Sequence, residues 1–286
     1  MVTCASAFQR LAAAGSAAVG ACPDNHGGSP ERFGYSWQCF NELTTAQQEQ
    51  FRRWTALIDP QTGWSGKQVL DVGCGAGRNA YWAMNLGAAG GVAIDLDERS
   101  LDRARSNLAP YPAMEVRFAS IYDFDGGEAF DIAFSIGVIH HLKQPLLAVQ
   151  RMAAAVKPGG QVLIWVYGHE NMERYVRFAD PWRKLLFSRL PMPMVRLLAH
   201  APAMALWCGL RLMRTRLEYF RLLRGFGYRH LHHILFDQML PRIAHYWRRD
   251  EVLELMTLAG LTEIELAPVN GMSWVALGCK PSGGQG

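Results

Sequence analysis

The sequence predicts a doubly wound, mostly parallel α/β sheet of seven strands with a helical insertion after the fifth. Three observations carry that expectation. Five short apolar runs alternate with helical ones between residues 67 and 167, and parallel strands need such crossovers. A glycine-rich turn follows the first run, between strand and helix. About 80 residues then intervene before a last helix and two more strand-like runs.

Each element has its own reason. Residues 1–30 are rich in Ala, Gly and Ser and lack apolar periodicity. They read as a mobile tail, since Arg10 falls where a signal peptide would be apolar. Residues 45–58 read as a helix, with Phe51, Trp54, Leu57 and Ile58 at helical spacing. Residues 67–72 form a strand that enters the glycine turn, and a helix leaves it over 77–86. A strand over 91–95, a helix over 98–108 and a strand over 115–118 follow. The fourth strand covers 130–135 and its helix 146–156. Lys157-Pro158-Gly159-Gly160 makes a turn into the fifth strand, 161–167. Residues 249–259 are helical, and 261–266 and 273–279 close the sheet. The expected layout is a tail to residue 30, an N-terminal cap segment with a ligand-binding core over 31–167, and an insertion over 168–247. The end of the core sheet then spans 248–280, and 281–286 are a tail.

Composition narrows the function. Half of the 286 residues are hydrophobic and 19% are charged, which excludes disorder over most of the length. The net charge of +4 is low for a general nucleic-acid binder, so no nucleic-acid partner is expected. No run of 18 apolar residues exists, so no spanning helix is expected. Six cysteines without a C-x-x-C pair suit a reducing, cytoplasmic setting and offer no zinc site.

The sharpest signal is Asp71-Val72-Gly73-Cys74-Gly75-Ala76-Gly77-Arg78. Glycines at alternate positions let the backbone turn tightly and approach a ligand. A dinucleotide fingerprint would put its third glycine at position 78, which is Arg. No Gly-Lys-Ser/Thr follows, which excludes a nucleoside-triphosphate loop. Asp95 ends the second strand 18 residues past Gly77, placed to accept hydrogen bonds from ribose hydroxyls.

These residues resemble the class I S-adenosylmethionine-dependent methyltransferases. Asp71 to Gly77 matches that family's first motif, and Val92-Ala93-Ile94-Asp95 its second. Residues 130–135 with Gly137-Val138-Ile139-His140-His141-Leu142 look like its fourth, and Lys157-Pro158-Gly159-Gly160 stands where the family has its turn. The resemblance covers about 67–167 and 249–279. It implies a Rossmann-like methyltransferase fold, S-adenosyl-L-methionine as cofactor, and in-line methyl transfer to a small-molecule acceptor. It implies that Gly73, Cys74, Gly75 and Gly77 face the methionyl part, with Asp71 near its ammonium group. Asp95 and Leu96 would hold the ribose, Ser120 and Ile121 the adenine, with Ile136 and Gly137 alongside. Asp123 is a substitute for the adenine-side acid of many relatives. Phe33 to Trp37 looks like a closing segment, with Tyr35 and Trp37 against the cation.

A base is needed only when the acceptor must lose a proton, and histidine suits neutral pH. His140 and His141 follow the fourth strand, and Tyr167 and His169 the fifth. These four are the catalytic candidates, each also open to a purely structural role. His230, His232, His233 and Asp237 form a second polar cluster, with His233 and Asp237 on one helical face. No metal site is expected. Residues 183–229 carry ten Lys or Arg and one acid, a net of +9 that leaves −5 for the remaining chain. Prolines 181, 191, 193 and 202 cut this insertion into helices, with a six-turn helix expected over 203–224. It reads as a cap over an anionic or amphipathic acceptor, a homodimer contact or a membrane-surface element. Two other functions stay open here: a cofactor-binding module without turnover, and a nicotinamide oxidoreductase.

Overall fold

The computed structural model describes residues 32, 43–173, 175–212 and 218–282. The expected N-terminal tail lies outside them, as do Tyr35 and Trp37.

The strands are β1 (Gln68–Val72), β2 (Gly90–Asp95), β3 (Met114–Phe118), β4 (Phe130–Ile136), β5 (Val156–Tyr167), β6 (Thr262–Val269) and β7 (Ser273–Cys279). They form one sheet in the order β3-β2-β1-β4-β5-β7-β6. The first five are parallel, and β7 runs antiparallel between β5 and β6. The doubly wound class expected from sequence is the one observed. The chain winds outward from β1 through β3 and returns on the other side as β4. Such a reversal opens a crevice at the carboxyl ends of the two central strands.

Alternation along the strands feeds two cores. Leu70, Val92 and Ile164 face α4 (Pro145–Ala155), whose Val149 and Met152 are fully buried. Val69, Phe134 and Leu163 face the other side. There they meet α1 (Thr45–Trp54), α2 (Arg78–Asn85) and α3 (Glu98–Leu108) through Phe51, Ala80 and Leu101. Phe51, Trp64 and Phe134 interlock with centroids 5.5–6.4 Å apart. Each such ring contributes about 1.5–3 kcal/mol by leaving water.

Helix ends follow local chemistry. Asp97 accepts from the Ser100 amide at 2.9 Å and starts α3. Pro145 opens α4, where a missing N–H costs nothing. α1 stops at Trp54 and not at 58, because Thr55 leaves the helical conformation and its hydroxyl donates back to the Phe51 carbonyl at 2.9 Å. β5 starts earlier than expected. Val156 pairs with Phe130, and the Gly159 amide donates to the Lys280 carbonyl, so the 157–160 turn is drawn into the strand.

The insertion folds as α5 (Asp180–Leu185), α6 (Met192–Leu198), α7 (His200–Leu212), α8 (Glu218–Arg224) and α9 (Tyr228–Met239). Pro193 and Pro202 lie in the first turns of α6 and α7, so they start helices. The expected helix over 203–224 is described as α7, which begins earlier, and α8. Residues 213–217 lie outside the described set. The insertion has apolar clusters of its own, Val195, Ala199, Phe236 and Leu240 in one and Leu210, Leu223 and Leu231 in another. Arg183, one of the ten cations of 183–229, is buried and donates to Asp180 and to the Pro241 carbonyl. The insertion begins and ends at one place: Gly168 bridges Trp247, whose amide donates to the Tyr167 carbonyl at 3.1 Å. α10 (Arg249–Leu258) then returns to the sheet. No helix among the described residues is long and apolar enough to cross a membrane.

Candidate active site

The turn after β1 is built by backbone that only glycine tolerates. Gly73 has φ +74°, and a Cβ there would stand 2.4 Å from a Val138 methyl. The turn spends its amides inside the protein. Those of Gly73 and Cys74 both donate to the Ile94 carbonyl at 2.9 Å, Gly75 to Asp95 at 2.8 Å, and Gly77 to the Cys74 carbonyl at 2.8 Å. A loop that cradles pyrophosphate aims such groups at its ligand.

Asp95 fastens β2 to this loop. One oxygen takes the Gly75 amide and the other takes Leu96 and Asp97, at 2.7 and 3.1 Å. Burial raises its pKa against those hydrogen bonds. A carboxylate has about four acceptor positions, so Asp95 keeps capacity for a hydroxyl.

A cavity of about 330 Å³ opens at the carboxyl ends of the central strands. Its floor includes Gly73, Cys74, Asp95, Leu96, Ser120, Ile121, Ile136 and Gly137. His141 and Tyr167 form one side. The roof comes from the insertion, with Leu223 on α8 and His230, His233, Ile234 and Asp237 on α9. The structure therefore brings together ten of the residues expected from sequence.

Five others lie off the cavity. Asp71 is fully buried behind the loop, where it accepts from the Ala80 amide at 3.1 Å; its second oxygen has no partner. Burial pushes its carboxyl up to about 8. Gly75 and Gly77 shape the turn and do not line the cavity. His140 packs between His141 and Tyr167 with centroids 4.2 and 3.8 Å away, fully buried, and neither ring nitrogen has a hydrogen-bond partner. Burial drives its pKa well below 6.5. His169 leaves the cavity because its amide is held by the Trp247 carbonyl at 3.0 Å as the chain turns into the insertion. The candidate Asp123 is exposed and also off the cavity.

His141 has a defined tautomer. Nδ1 lies 2.7 Å from the Ile243 carbonyl, which can only accept, so Nδ1 carries the proton and Nε2 the lone pair. Burial holds its pKa down to about 4. On the roof, His233 Nε2 lies 2.9 Å from an Asp237 oxygen. The Asp237 charge also supports the Arg78 guanidinium, whose pKa burial lowers to about 10.

Sequence reasoning missed the aromatic wall. Trp54 and Trp165 line the cavity with centroids 4.9 Å apart, and Ser273 accepts the Trp165 indole N–H at 3.1 Å. Trp54 had the helical spacing of a core residue, and nothing in the pattern separates the two roles. In the sequence Arg78 bears only the mark of an absent third glycine.

A family model described as a methyltransferase domain matches residues 70–164, from β1 to β5. That third of the chain matches the kind of domain implied by the resemblance to the class I S-adenosylmethionine-dependent methyltransferases. That family's cofactor is S-adenosyl-L-methionine. Among curated methyltransferase relatives, a tRNA U34 carboxymethyltransferase of Idiomarina loihiensis is 32% identical over 143 residues, 46% of this chain and 44% of that protein. A ubiquinone biosynthesis O-methyltransferase of Aromatoleum aromaticum is 36% identical over 139 residues, 47% of this chain and 57% of that one. The chain thus spans about half the length of the relatives it matches. In fold it is similar to the 1,6-didemethyltoxoflavin-N1-methyltransferase of Burkholderia thailandensis, with TM-score 0.55, 16% identity and 92% of each chain covered.

Proposed function

We propose that the protein transfers a methyl group from S-adenosyl-L-methionine to a small-molecule acceptor held beneath α8 and α9. The observation that carries this reading is the cavity itself, floored by the glycine turn and Asp95 and roofed by the insertion. One space can then hold cofactor and acceptor side by side. The inward amides of the turn favour this cofactor over a dinucleotide, since they present no anion cradle. When bound, the cofactor supplies an electrophilic methyl group on a sulfonium and leaves as a neutral thioether.

The chain's part is positioning. Asp95 accepts from the ribose, the Gly73–Cys74 backbone lies along the methionyl part, and Trp54, Trp165 and Tyr167 offer π faces to a cation. Fixing both reactants removes much of the entropic barrier. His141 takes the acceptor's proton on Nε2 where one must leave. Its low pKa keeps it unprotonated at neutral pH. Asp237 orients the His233 ring, whose Nε2–H it accepts, and that pair holds a polar group of the acceptor.

Calorimetry and turnover test this reading together. The wild type should bind S-adenosylhomocysteine and not NAD, and Asp95→Ala should weaken that binding by about 1.5–3 kcal/mol. His141→Ala should lose about 10²–10⁴-fold in rate with cofactor affinity kept. NAD binding in place of S-adenosylhomocysteine ends the proposal. Binding without turnover on any acceptor class leaves a cofactor-binding module.

A nucleic-acid acceptor is the second reading. The tRNA-modifying relatives and the basic insertion favour it. Labelled methyl appearing on tRNA and on no small molecule would establish it.

A further inference from the structure

We propose that the outer face of the insertion docks on the surface of a bilayer containing anionic phospholipid. This inference does not depend on the identity of the acceptor.

The first observation is a helix pair that is apolar on two sides. α6 and α7 are separated by Ala199 alone, whose φ of −64° and ψ of −18° keep the helical course. Val195, Ala199, Ala203 and Leu210 fall on one side and are buried. That side packs against α9 through Phe236 and Leu231. Met194, Leu197, Leu198 and Met204 fall outside it, and Leu197 is 70% exposed. A helix on the surface of a globular domain needs only one apolar stripe.

The exposure is concentrated in one stretch of the chain. Among the described residues, nine of the twelve large hydrophobic side chains that face solvent lie between Phe178 and Leu212. Phe178, Trp182 and Leu185 stand just upstream, all more than 60% exposed. Large uncovered apolar area of this kind marks a contact surface.

Charge selects the partner. Arg177, Arg189, Arg196 and Arg211 are exposed among these apolar residues. Residues 177–212, which hold these nine apolar side chains, carry six Lys or Arg and one acid, Asp180, which the buried Arg183 pairs. Arg211 lies 3.8 Å over the Trp207 ring, so its stem and the indole form one amphipathic unit. A second copy meeting this face through a two-fold axis would bring like charges together. A nucleic acid would satisfy the arginines and leave the leucines in water. Anionic headgroups over acyl chains satisfy both. No described helix is long enough to span, so the contact lies in the interface plane.

The test is co-sedimentation of the full chain with vesicles of phosphatidylcholine alone or mixed with phosphatidylglycerol. Binding should require phosphatidylglycerol and fall as salt is raised. Arg196→Ala and Arg211→Ala should each weaken it by about fivefold. Leu197→Glu with Met204→Glu should weaken it by at least tenfold. S-adenosylhomocysteine binding should be unchanged, since neither residue lines the cavity. If that double variant unfolds, Leu197→Ser alone serves the same purpose. Equal binding to both vesicle types overturns the proposal, as does binding indifferent to Leu197. So does a concentration-dependent dimer that Leu197→Ser dissociates without vesicle binding, or arginine-dependent retention of tRNA with no binding to vesicles.

Discussion

Asp71, the last but one residue of β1, has one oxygen on the Ala80 amide and the other on no partner. In the folded chain its carboxyl stays protonated to about pH 8, whereas unfolded it ionises near 3.8. Between those values the folded state holds the extra proton. Stability therefore falls as pH rises through that window. Asp71→Asn removes the titration and keeps the acceptor for Ala80. It should gain on the wild type from pH 5 to 8, by up to about 1.4 kcal/mol per pH unit. Asp71→Ala should lose about 1–3 kcal/mol at pH 5, because the Ala80 amide is left unpaired. Urea midpoints of the three proteins across that range check both statements, and parallel pH curves for Asp71→Asn and wild type would sink the first. Gly73 and Val138 offer a second test. Gly73→Ala carries a backbone cost of about 1–2 kcal/mol from its positive φ and a steric cost from the Val138 methyls 2.4 Å away. Val138→Ala in the same chain should restore the steric part only, which a double-mutant cycle of thermal midpoints reads out.

The parallel half of the sheet was legible because its signals are local. Glycines at 73, 75 and 77, an acid at 95 and short apolar runs such as 69–72 each point to one backbone state. The cavity lining was legible where it belongs to those strand ends, as at Asp95, Ser120, Gly137 and His141. It was not legible where distant elements close over it. Trp54, Trp165 and Ser273 meet only after folding, and a tryptophan at helical spacing carries no mark of facing a cavity. The two histidines of 140–141 looked equivalent in sequence, yet the single turn at Ile139–His141 sends one into the core and the other onto the cavity. The insertion was read correctly as basic and helical, but its boundaries were not readable. Helices apolar on two sides show no clean stripe, and prolines in first turns resemble breaks.

The two large cores lie on the faces of the sheet, whereas the insertion rests on two clusters of three or four buried residues each. Little apolar area therefore ties α6 to α9 to the rest. Amide exchange should be faster by at least tenfold across α6 to α9 than in β1, β4 and β5. S-adenosylhomocysteine should slow it in α9, whose residues line the cavity, and leave α6 nearly unchanged. Uniform protection across sheet and insertion would contradict a separately opening roof. The junction at Gly168 and Trp247 has a further consequence. The segment of about 80 residues departs and returns through two neighbouring backbone positions, so its length and internal design are decoupled from the sheet's register. Such a socket lets a lineage exchange the whole roof in one recombination, keeping the cofactor floor intact while acquiring a new acceptor chamber and a new outer surface at the same stroke.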